Sequence, residues 1–137
     1  MPMVDLIDET FIVAAPADVA VALHDEALWA RLFPGLELTV FMDRGDEGLR
    51  FTVTGSLAGS SELWVQPWGD GAIVHYYLRA DLTRRGSATE AITGAPRALV
   101  RRSIRARTRH VHRVKAGMNA LKDSLESGRA AGLGRTG

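Results

Sequence analysis

Cysteine is absent from the 137 residues, which excludes disulfides, thiolate nucleophiles and every Cys-ligated metal site. Long apolar runs are missing too: no stretch approaches the roughly 18 apolar residues of a membrane span. The N-terminus, MPMVDLIDE, has acids where a secretory signal would need a basic start. A cytoplasmic location with no stable membrane insertion is therefore the expectation. There is no G-x-S-x-G nucleophile elbow. His110 and His112 stand two apart and diverge by about 200° on a helix, so no metal spacing emerges and no cofactor is expected. Acid is scarce in one region. Between Arg84 and Lys115 Glu90 stands alone against ten bases, whereas residues 1–70 carry twelve acids and three bases. That asymmetry marks either an anionic partner or an intramolecular match of acidic sheet to basic helix. The basic segment has no aromatic platforms or reading motif, so nucleic acid is not expected as a partner.

What is present suits one folded unit, since 46% hydrophobic residues over this length suffice for a core. Residues 1–128 are expected to form the domain and 129–137, rich in Gly, a disordered tail. DLIDETFIV reads as a strand ended by Ala14-Ala15-Pro16, and PADVAVALHD and EALWARLF as two short helices stopped at Pro34-Gly35. LELTVFMD alternates strictly, placing Leu36, Leu38, Val40 and Met42 on one face. In GLRFTVTGSL the alternation resumes with Leu49, Phe51 and Val53, and Gly55 and Gly59 offer bends.

SELWVQPW and AIVHYYLRADL flank Gly69-Asp70-Gly71 and read as a hairpin. An Asp70-Gly71 loop would pair Leu63 with Leu78, Val65 with Tyr76 and Pro67 with Val74 on an apolar face. It would pair Glu62 with Arg79, Trp64 with Tyr77 and Gln66 with His75 on the other. Residues 83–96 read as a polar loop at the mouth of the fold. From Pro96 to about Ser127 the apolar positions Val100, Ile104, Val111, Val114, Met118, Leu121 and Leu125 keep helical spacing. That makes one helix of some 45 Å, long enough to cross a sheet.

The opening FIVAAPADVAVAL, the hairpin GSSELWVQPWGDGAIVHYYLRADL and the close MNALKDSLE together resemble the START-like superfamily of polyketide cyclases, aromatases and pathogenesis-related class 10 plant proteins. The resemblance implies an α+β helix-grip fold: a curved antiparallel sheet wrapped on a long C-terminal helix, with two short helices after strand 1. The family commonly has seven strands, whereas five can be counted here. It also implies a habit of holding lipids, polyketides or similar apolar molecules between sheet and helix.

On that basis the expected walls are Leu38, Val40, Phe51, Val53, Leu63, Val65, Tyr76, Leu78, Ile104, Val111 and Met118. Arg107 falls within about 20° of the helix's apolar direction and is the expected polar anchor for a carboxylate, phosphate or enolate. The alternative for Arg107 is a structural ion pair with Glu9. Binding of a small hydrophobic ligand is the leading expectation. A cyclase or dehydratase competes with it, and would need Arg107, Tyr76 and Glu9 to converge on one ligand atom. A third reading is an interaction module with a filled core, pairing as a homodimer through Trp64, Trp68 and Tyr77.

Overall fold

The computed structural model describes residues 4–83, 87, 91 and 97–127. Val4–Ile12 forms β1, and the Ala-Pro break turns the chain into α1 (Pro16–Leu23), with proline in the first turn. Asp25 caps α2 (Glu26–Leu32), its carboxylate accepting from the Ala27 amide at 2.9 Å. Then follow β2 (Leu36–Asp43), a single 3-10 turn, β3 (Gly48–Gly55), β4 (Leu57–Trp68) and β5 (Gly71–Leu82). The long helix α3 (Arg97–Glu126) has 30 residues. Among the described residues the strands form one antiparallel sheet in the order β1-β5-β4-β3-β2. The expected architecture, with two short helices after the first strand and five strands before the last helix, is thus present. The loop expected at 83–96 and the tail from 129 lie largely outside the described residues.

The sheet's inner face buries Leu6 and Ile12 of β1, Phe51 and Val53 of β3, Leu63 and Val65 of β4, and Val74, Tyr76 and Leu78 of β5. These pack with Leu23, Leu32 and Phe33 from the short helices and Val114 and Met118 from α3. Phe33 stacks on Tyr76, and Trp29 meets Phe51 edge to face. Helix α3 runs alongside β1 and closes its free edge. Arg107 Nε reaches the Asp5 carbonyl at 3.4 Å, Lys115 Nζ lies 2.8 Å from Asp8 Oδ1, and Lys122 Nζ donates to the Phe11 carbonyl at 2.8 Å. The Val13 amide donates to Glu126 Oε2 at 2.7 Å. Nineteen helical steps from Arg107 to Glu126 cover about 28 Å, and eight strand steps from Asp5 to Val13 about 26 Å, so the two run in step.

Three expectations need correction. The hairpin loop is Gly69-Asp70, so Leu63 faces Tyr76, Trp64 faces His75 and Val65 faces Val74. Gly69 has φ 54, and a glycine at the first central position is what a two-residue turn of this kind uses. The two-residue shift in register leaves both faces intact but replaces the expected Glu62–Arg79 and Trp64–Tyr77 pairs. Second, β2 does not keep its apolar side in the core: its register shifts between Val40 and Met42, and Val40, Phe41 and Met42 are all exposed on this edge strand. Third, β1 turns Asp8 and Thr10 inward and Glu9 outward, the reverse of the expectation for Glu9. An inward acid is tolerated because Asp8 meets Lys115 and accepts from Thr10 Oγ1 at 3.0 Å.

Candidate functional site

The layer between the sheet and α3 is apolar apart from a few placed polar groups. The helix buries Leu99, Ser103, Ala106, His110, Val114, Gly117, Met118 and Leu121 on the side that packs on β1 and α2. This face lies roughly 70° around the helix from the one that the apolar positions suggest. Small residues make the difference, because Ser103, Ala106 and Gly117 carry no weight in a hydrophobic count yet allow close approach. A Cβ on Gly117 would sit 2.6 Å from Leu32 Cδ2.

Two buried side-chain atoms stand out, one on β5 and one on α3. The Tyr76 hydroxyl and His110 Nδ1 are buried and have no hydrogen-bond partner among the described residues. Ser103 and Ser61 are satisfied by backbone carbonyls, those of Leu99 and Tyr77. Burial pushes the Tyr76 phenol well above its ordinary range, with the Asp8 carboxylate adding to the effect. Burial likewise lowers His110, and the positive charges of Arg109 and Arg113 lower it further. Both groups are therefore neutral near pH 7. The phenol offers a donor, and the imidazole offers an acceptor or a donor according to its tautomer.

Of the expected wall residues, Phe51, Val53, Leu63, Val65, Tyr76, Leu78 and Met118 lie in the buried core. Leu38 and Val111 are half-buried at its margin. Val40 and Ile104 are exposed, Ile104 by 60%, which corrects their inward assignment. Arg107 is exposed on the flank of α3 beside β1 and does not point into the layer. Glu9 lies on the sheet's outer face, its Oε1 3.3 Å from His75 Nδ1. Arg107, Tyr76 and Glu9 therefore do not converge. In the sequence His110 and His112 show no metal spacing, and no other role for His110 is read from it. Its signal is the row Leu99, Ser103, Ala106, His110, Val114, Gly117, Leu121, spaced by three and four.

The outer face carries a second polar group. His75 is buried there between Trp64, whose ring centroid is 4.6 Å away, and Tyr77, and His75 Nε2 lies 2.8 Å from Gln66 Oε1. An open trough of about 270 Å³ crosses this face from Ile7 to Phe41, with Arg50, Glu62, Tyr77 and Arg79 along it. Glu62 holds Arg50 and Arg44 at 3.6 and 3.7 Å, and Asp5 holds Arg79 at 3.7 Å. Among the described residues no His, Asp and Glu cluster could hold a metal ion, and no helix is long and apolar enough to cross a membrane.

No family model and no curated protein matches the sequence. Solved structures do match it. The Aha1 dimer from Colwellia psychrerythraea superposes with a TM-score of 0.56 at 10% identity, over 93% of this chain and 99% of that one. A Polyketide_cyc-like protein from Corynebacterium glutamicum gives 0.52 at 12% identity, over 94% and 97%. The di-domain ARO/CYC StfQ from the steffimycin biosynthetic pathway gives 0.50 at 14% identity over 95% of this chain, which spans 52% of that protein. At such identities the likeness is one of fold.

Proposed function

We propose that this chain, whose fold is that of the START-like, polyketide cyclase-type proteins, binds a small amphipathic molecule in the layer between its sheet and α3. The carrying observation is two buried polar atoms without a hydrogen-bond partner among the described residues, Tyr76 Oη and His110 Nδ1. A buried donor or acceptor left unpaired costs about 1–3 kcal/mol, a cost that a bound carbonyl, hydroxyl or carboxylic acid would remove. Phe51, Leu63, Leu78 and Met118 supply the apolar wall, and Tyr76 with His110 takes the anchoring role expected of Arg107. Native mass spectrometry of the purified protein, followed by organic extraction, tests this reading. A retained apolar molecule, lost or weakened about tenfold in Tyr76→Phe and His110→Leu, is the expected result. Empty protein together with extracts identical to buffer would overturn it.

The second reading is an enzyme of cyclase or dehydratase type, favoured by the same two groups. A neutral imidazole takes protons and a phenol polarises a carbonyl in a site screened from water. Conversion of the extracted molecule by the wild type but not by His110→Leu distinguishes catalyst from carrier. We further propose that copies of the chain pair through the outer face, where Trp68 is 60% exposed and the trough opens. Trp64 and Tyr77 are half-buried against His75 and contribute less than expected. The Aha1 structure is itself described as a dimer. Light scattering at micromolar concentration should show a dimer that Trp68→Ser dissociates; a monomeric wild type would remove the idea.

A further inference from the structure

We propose that the exposed side of α3 docks on an anionic lipid bilayer. Arg97, Arg101, Arg105, Arg109 and Arg113 recur every fourth residue and form one ridge about 24 Å long, drifting slowly around the helix. Arg102 lies beside it, and all six side chains are exposed. None has an acidic partner among the described residues. The acids of β1 and Glu62 of β4 are engaged elsewhere: Asp5 with Arg79, Asp8 with Lys115, Glu9 with His75, and Glu62 with Arg44 and Arg50. Beyond the described residues the sequence holds one acidic side chain, Glu90, which could neutralise at most one of the six. The match of acidic sheet to basic helix that the charge distribution allows is therefore not made at this ridge.

A ladder of like charges four apart works against its own helix, so the fold gives no reason for it. A polyanionic partner does. Two features favour a lipid surface over nucleic acid. Val100 and Ile104 project from the N-terminal half of the helix, exposed by 43% and 60%, and Ile104 falls within about 60° of Arg97 and Arg101. Apolar side chains gain free energy at the boundary of headgroups and acyl chains and gain nothing against phosphates in water. Helix α3 also has no Phe, Trp or Tyr, the side chains on which bases stack.

The test is co-sedimentation of the full chain with unilamellar vesicles of phosphatidylcholine, with or without phosphatidylglycerol. Binding is expected only with the anionic lipid, and is expected to vanish near 0.5 M salt, where the Debye length falls to roughly 4 Å. The triple variant Arg101→Gln, Arg105→Gln, Arg109→Gln should bind about a hundredfold more weakly, each charge near such a surface accounting for roughly fivefold. Ile104→Ser should weaken vesicle binding several-fold, and far-UV circular dichroism should show α3 intact in both variants. Because the interior site is not involved, Tyr76→Phe should bind vesicles like the wild type. Equal binding to both vesicle types, undiminished binding by the triple variant, or tighter binding to a mixed-sequence oligonucleotide than to the anionic vesicles would each overturn the proposal.

Discussion

Tyr76 and His110 place buried polar atoms that have no hydrogen-bond partner among the described residues, and each has a measurable consequence for stability. Removing the Tyr76 hydroxyl deletes an unpaired buried group, so ligand-free Tyr76→Phe should be more stable by about 1 kcal/mol, read as a higher urea midpoint. A lower midpoint would show that the hydroxyl has a partner. His110 is held below its ordinary value of 6.5, so the unfolded chain binds its proton more readily than the folded one. Its contribution is present above the unfolded value and is lost as pH falls through the folded one. His24 acts in the opposite direction. Its bond to Asp43 at 2.9 Å, together with the Ala20 carbonyl, raises it, so its contribution is present at low pH and is lost as pH rises through the folded value. Urea midpoints at pH 7.5 and pH 5 should therefore fall less on acidification in His110→Leu than in the wild type. In His24→Ala they should fall more.

The elements carry their own strains. Four i, i+4 arginine pairs along α3 cost roughly 0.2–0.5 kcal/mol each. Arg105→Glu turns two of those repulsions into attractions and should stabilise the protein by about 1 kcal/mol, raising the melting temperature by a few degrees. The α2–α3 contact is set by the missing side chain at Gly117. Its neighbour Leu32 is fully buried, so Gly117→Val should cost about 2 kcal/mol by overpacking. Gly117→Ala is the informative comparison, because gained helix propensity of about 0.5–1 kcal/mol offsets part of the clash. The element types were legible from spacing, since strands alternate and helices recur every three or four residues. The hairpin register was not, because Gly69-Asp70 and Asp70-Gly71 both offer turn chemistry and both leave the apolar face intact.

At the scale of the whole molecule, α3 does two jobs. One side covers the core, and a flank seals the β1 edge through Arg107, Lys115, Lys122 and Glu126. An unsealed edge is a template for association, which among the described residues leaves β2, with exposed Val40, Phe41 and Met42, as the open end of the sheet. The last of these ties lies at Glu126, so we propose that residues 1–128 make up the whole folding unit. A chain ending at Gly128 should melt at the same temperature as the full chain, followed by circular dichroism; a drop of several degrees would place part of the domain in the last nine residues.

The order of strands and helices, the apolar sides of β3, β4 and β5 and the length of α3 were determined by the sequence alone, each resting on a local period or on a breaker at a fixed place. The helix-grip arrangement was implied only by the resemblance of whole stretches to a known superfamily. The side of α3 that faces inward was decided only in three dimensions. Close approach selects small residues such as Ser103, Ala106 and Gly117, which a hydrophobic period ignores, and so Arg107 lies outside while His110 is buried. The inward turn of Asp8 was decided there too, because an acid enters a core only where a lysine from a helix more than a hundred residues later arrives to meet it.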